Sequence, residues 1–144
     1  MGQQQLLLLV LSTVIVGLAT VAGIQAFSEN QEQATQDALV QKSLTLATDI
    51  KAAANKPAQL GGPSEMSKSE LLSAAGIETE TINGTSGLVP ATGAGNNASC
   101  DITSASGSGG NLTATIECST AGDDQVVTLG ITDGEVGNPT ITGS

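Results

Sequence analysis

The chain has 144 residues with four lysines, fourteen acids and no arginine or histidine, for a formal net charge of −10; it has no Trp or Tyr and one Phe, Phe27. Without His or Arg there is no base for catalysis near neutral pH, no oxyanion or phosphate clamp and no Cys-His or Ser-His pair, so the expectation is a non-enzyme without a cofactor. The acidic balance repels nucleic-acid phosphates, so direct nucleic-acid binding is not expected.

Residues 1–27 read MGQQQLLLLVLSTVIVGLATVAGIQAF, uncharged throughout. The apolar run Leu6–Ile24 would form a helix roughly 28 Å long, close to the thickness of a hydrocarbon core. Ser12, Thr13 and Thr20 can return their hydroxyls to helical carbonyls. A removable signal peptide would show a basic start and a shorter apolar core. Cleavage after Ala22 or Ala26 is the alternative; the reading is that the segment is retained. Gly17, Ala19, Thr20, Ala22 and Gly23 cluster in its second half. Ala19 and Gly23 have the small-xxx-small spacing that permits close helix approach, although an ordinary anchor also tolerates glycine. Gly17 is the weakest point of such a helix and is expected to unwind where subunits pack.

Residues 28–57 contain no glycine and no proline before Pro57. Leu39, Ser43, Leu46, Ile50 and Ala53 recur at alternating spacings of four and three, one helical stripe. Lys51 and Lys56 suit the C-terminal end of the helix dipole. The expectation is one helix of about 50 residues, roughly 75 Å long, apolar all round to residue 27, striped over 28–57 and stopped by Pro57. Residues 58–144 then form a head. A short helix is expected near 65–75, with Ser67 and Glu70 at capping-box spacing and Gly76 as its C-terminal cap, after which Ile77 enters the core.

Residues 78–99 read as strand-like pieces such as ETETI with a loop NGTSG. Beyond them lie the only cysteines, Cys100 and Cys118, separated by DITSASGSGGNLTATIE. GSGG marks a turn between two alternating segments. Folded symmetrically about it, the hairpin sets Cys100 opposite Cys118, predicting a cross-strand disulfide and an oxidising, exported location; two unrelated thiols are the alternative. Gln125–Thr132 is the most apolar strand candidate, followed by the turn pair Asp133-Gly134, and Pro139 suits an edge strand. The fold class is therefore α+β, with the long N-terminal helix packed on a small antiparallel sheet of roughly four strands.

No metal site is expected: Asp123-Asp124 and Asp133-Gly134-Glu135 should lie about 25 Å apart at opposite ends of one strand, and neither has EF-hand spacing. Asn83, Asn97 and Asn111 each begin an Asn-X-Ser/Thr tripeptide, a candidate glycosylation site or a chance match in a chain rich in these residues.

An apolar N-terminal half-helix, an amphipathic continuation and a sheet head with a late disulfide resemble the type IV pilin superfamily, which includes archaeal-type pilins and pseudopilins. The architectural resemblance covers the whole chain, and the residue-level one about the first 30 positions. It implies a subunit held in the cytoplasmic membrane by its apolar helix before assembly. Pilus assembly machinery then builds it into a helical homopolymer, an extracellular filament on the cell surface with helices inside and heads outside. Gln5, Leu6, Leu9, Thr13, Gly17, Ala19, Gly23 and Phe27 would lie on the membrane and assembly helix. Pilin leaders are usually short and basic and end in glycine; here Met1-Gly2 precedes Gln3. Either processing falls between Gly2 and Gln3, or the mature chain begins at Met1 and Gln5 stands where bacterial pilins carry a glutamate. The expected function is a major filament subunit. The alternatives are a monomeric single-span membrane-anchored surface binding module and a minor pseudopilin of a secretion machine.

Overall fold

The computed structural model describes residues 2–108, 110–122 and 124–143, in two compact units, Met1–Ala34 and Thr35–Ser144. Helix α1, Gly2–Ala54, begins in the first unit and ends in the second. It stops three residues before Pro57 rather than at it. Proline disfavours helical geometry at the preceding residue, Lys56, so the last turn loosens at Asn55. Both the backbone N–H and the side-chain amide of Asn55 donate to the Lys51 carbonyl, at 3.2 and 3.0 Å. The 3-10 turn Ala58–Leu60 follows and is closed by Gly61, at φ 81°.

In the second unit, all five stripe residues of α1 are buried: Leu39, Ser43, Leu46, Ile50 and Ala53 are 2% exposed or less. Ser43 satisfies its hydroxyl within the helix, donating to the Val40 carbonyl at 2.8 Å. Leu39, Leu46 and Ile50 belong to one hydrophobic cluster with Leu71 and Leu72 of the second helix and the inner face of the sheet. Leu, Ile, Val and Ala carry that core, with the disulfide pair inside it.

Helix α2, Lys68–Ala75, has Ser67 as N-cap and Gly76 as its left-handed C-cap at φ 70°. The Gly76 N–H reaches Ser73 and the Ile77 N–H reaches the Leu72 carbonyl at 2.9 Å, the paired bonds of a Schellman ending that bring Ile77 back onto the core. The N-terminal cap is only half of the expected box. The Ser67 hydroxyl accepts from the Glu70 N–H at 3.5 Å. The Glu70 carboxylate does not return to Ser67; it accepts from the Glu65 N–H at 2.6 Å and the Ser64 hydroxyl at 3.0 Å. Those donors lie in the bend after Pro63, where folding of the preceding loop leaves an N–H without a helical partner.

Among the described residues the sheet is antiparallel and has seven strands rather than roughly four: β1 (Glu80–Ile82), β2 (Thr85–Pro90), β3 (Ser99–Ser108), β4 (Asn111–Ser119), β5 (Gln125–Thr132), β6 (Glu135–Val136) and β7 (Thr140–Gly143). Two local causes account for the extra strands. The NGTSG segment is a turn only at Asn83-Gly84, both at positive φ (52° and 82°), while Thr85–Gly87 already belongs to β2. The C-terminal segment is broken by Gly137-Asn138-Pro139, so β6 pairs with one end of β5 and β7 with the other. Pro139 has no N–H to offer a ladder, which keeps the two pieces separate.

Candidate assembly surface and head sites

In the first unit every Leu, Ile, Val and Phe from Leu6 to Phe27 is between 50% and 70% exposed. The helix is long and apolar enough to cross a membrane, judged by length and composition. Its hydroxyls are satisfied internally: those of Ser12, Thr13 and Thr20 donate to the carbonyls of Leu9, Val10 and Val16 at 2.7–2.8 Å. No hydroxyl on this surface therefore needs water, and apart from the Gln25 amide what it presents outward is largely hydrocarbon.

Gln5, Leu9, Thr13 and Gly17 follow one i, i+4 row of α1, and Ala19, Gly23 and Phe27 follow another; such rows are the ridges by which helices interlock. Leu6 lies beside the first row. Ala19, Thr20 and Gly23 form the floor of a shallow trough of about 520 Å³ walled by Val16, Ile24 and Phe27. The small residues were legible from their spacing. The larger walls, Val16 and Ile24, were not singled out, although they stand one turn before and after Thr20. The helix is continuous through Gly17 in the single chain. Gly2 and Gln3, the candidate processing point, are exposed in the first turn, and Met1 lies outside the described residues.

In the second unit Cys100 and Cys118 are direct cross-strand partners joined at Sγ–Sγ 1.95 Å, and both are fully buried. Their register depends on a bulge. The strand ends pair Ser108 with Asn111, and continuing that register would set Cys100 opposite Ser119. One extra residue, Thr103, is accommodated between Ile102 and Ser104, which moves Cys100 onto Cys118. The Thr103 hydroxyl donates to the Thr115 carbonyl at 3.3 Å.

The three Asn-X-Ser/Thr tripeptides differ in access. Asn83 and Thr85 are both exposed, as are Asn111 and Thr113, whereas Asn97 is exposed but its partner Ser99 is only 9% exposed. Asp101 and Glu117 face one another across β3 and β4. Lys68 of α2 forms an ion pair with Asp101, both side chains one-third exposed, and thereby relieves a like-charge cross-strand pair. A polar groove of about 320 Å³ runs over these carboxylates, lined also by Asn83, Asn97, Ser119 and Thr120. Among the described residues no three potential ligands converge on a metal position; Asp124 precedes β5 and Asp133 follows it, while Asp123 lies outside the described residues.

No family model, curated protein or solved structure matches this chain. The long N-terminal helix and antiparallel sheet are nevertheless compatible with a pilin-like fold.

Proposed function

We propose that this chain is the major structural subunit of an extracellular type IV pilus-like filament, assembled by bundling of α1 between copies. One observation carries the reading: an apolar helix surface exposed from Leu6 to Phe27, which needs either lipid or other copies of itself around it. Lipid satisfies it before assembly and neighbouring helices afterwards, with Ala19 and Gly23 allowing close backbone approach. The buried disulfide supports an exported head. The absence of His and Arg supports a structural rather than catalytic role.

The polar groove over Asp101 and Glu117 favours a second reading, a single-span surface module that binds a partner through its head. Shearing native cells, pelleting the released material and examining it by electron microscopy with mass spectrometry separates the two. The filament reading expects uniform thin filaments made mainly of this chain. The N-terminal peptide mass would also report whether the mature chain starts at Met1, Gly2 or Gln3. Retention of all the protein in the membrane fraction, with no filament containing it, would overturn the filament reading in favour of the anchored module.

A further inference from the structure

Asn83 is the one asparagine of seven that is followed by glycine. The side-chain amide of an asparagine can be attacked by the backbone nitrogen of the next residue, and a side chain on that residue obstructs the ring that closes. Gly84 has none, and the space around a Cβ built there is open to 4 Å. Both residues are exposed. They form the two-residue turn between the paired Ile82 and Thr85, at φ 52° and 82°. In such a turn the flanking residues make the ladder bonds, and among the described residues the Gly84 N–H donates to no backbone carbonyl.

Each competing position lacks one of these features. Asp133-Gly134 is a similar turn, but the Gly134 N–H is held by the Leu112 carbonyl at 2.8 Å, and an ionised carboxylate resists attack. The Asn55 amide donates to the Lys51 carbonyl at 3.0 Å. Leu112 and Ala98, which follow Asn111 and Asn97, are 1% and 4% exposed. Pro139 after Asn138 has no N–H to lose. Asn30 and Asn96 precede Gln31 and Asn97, whose side chains obstruct the ring. The hairpin around Asn83 also opens readily: β1 is three residues long, ends the sheet and pairs with β2. Little-buried edge segments open locally at low free energy, and each opening lets the Asn83 amide turn onto the Gly84 nitrogen.

We propose that Asn83 is a site of spontaneous deamidation. The Gly84 nitrogen bonds to Asn83 Cγ as its proton is lost, the Cγ–Nδ2 bond breaks, and ammonia leaves. Water then opens the succinimide ring. Opening at Cγ gives aspartate; opening at the backbone carbonyl gives isoaspartate, with the chain running on through the side chain. Either product places a third carboxylate on the polar groove that Asn83 lines with Asp101 and Glu117. Isoaspartate also lengthens the main chain of a two-residue turn by one carbon, so β1 loses its register on β2. The same step destroys the Asn83-Gly84-Thr85 acceptor tripeptide. The inference is independent of the filament reading.

The test ages the purified full-length chain in detergent at neutral and at mildly alkaline pH. Its proteolytic peptides are then read by mass spectrometry and probed with an isoaspartate-specific methyltransferase. The peptide containing residue 83 should gain the mass of an amide-to-acid exchange and accept the methyl label. Both should come faster at alkaline pH, because the Gly84 nitrogen must lose its proton, while peptides with the other asparagines stay unchanged. Asn83→Gly suits the same turn and should take no label. Hydrogen exchange across Glu80–Leu88 should quicken in the aged parent and stay at its starting rate in Asn83→Gly. An aged parent that keeps its amide at residue 83, or deamidates there no faster than at Asn111, would overturn the proposal.

Discussion

At the scale of single residues, two polar side chains of the head sit in electrostatically unfavourable places. Gln125 opens β5 on its inner face, 8% exposed, and its Oε1 has no hydrogen-bond partner. A buried acceptor left unpaired costs about 1–3 kcal/mol. Gln125→Met keeps the length and removes the orphan, so it should raise stability by about 1 kcal/mol, read as a higher urea midpoint at unchanged slope. Glu117 faces Asp101 across the ladder and, unlike Asp101, has no lysine paired with it. Glu117→Thr should therefore stabilise the head by about 0.5 kcal/mol, the usual scale of a cross-strand pair. The gain should shrink in high salt because both carboxylates reach solvent. A thermal melt at low and high ionic strength checks both parts.

At the scale of elements, α1 and the glycine turns carry different kinds of information. Ile50 is fully buried on the stripe that meets the sheet. Ile50→Ala should cost about 2–5 kcal/mol, because the removed methyls leave a cavity that rigid helix and sheet backbones cannot close. Gly134 and Gly130 make a paired test in β5 and its following turn. Gly134 sits at φ 77°, and a Cβ there would come within 2.3 Å of the Gly110 carbonyl oxygen, where the β3–β4 and β5–β6 connections meet. Gly130 lies in the strand with open space around it. Gly134→Ala should destabilise by more than about 1 kcal/mol and Gly130→Ala should stabilise by about 0.5 kcal/mol. Equal effects at the two sites in chemical denaturation would contradict this account of the turn. The stripe of α1, the extent of β5 and the caps of α2 were all readable from spacing and residue type. The β1–β2 hairpin was readable too: Asn83-Gly84 is the same kind of signal as Asp133-Gly134. It was obscured by the Ser- and Gly-rich residues that continue into β2.

At the scale of the whole molecule, charge and core size set the conditions under which the chain is stable. Fourteen acids against four lysines leave −10 to be held on a small fold whose cluster contains no aromatic side chain. Self-repulsion of that size opposes the compact state. Adding monovalent salt to a low-salt buffer should therefore raise the melting temperature, and a fall in melting temperature over that range would show that surface charge is not limiting. The disulfide closes the loop between Cys100 and Cys118 inside this core. It is worth about 3 kcal/mol by loop length, a large share of what a domain with a thin core has available.

Sequence alone determined what depends on local spacing and residue chemistry. That includes an uncharged helix to Phe27, the Leu39-to-Ala53 stripe, the capped α2, the Cys100–Cys118 hairpin and the α+β class. These follow because helix period, strand alternation, caps and turns are written within a few residues of one another. Tertiary structure decided what depends on groups far apart in the chain. The Thr103 bulge that brings the cysteines into register and the pairing of Lys68 with Asp101 are of this kind. So are the orphaned Gln125 acceptor and the groove between Leu72, Ile77 and β2. None has a local signature, because each is fixed by how the strands and helices pack rather than by the residues beside it.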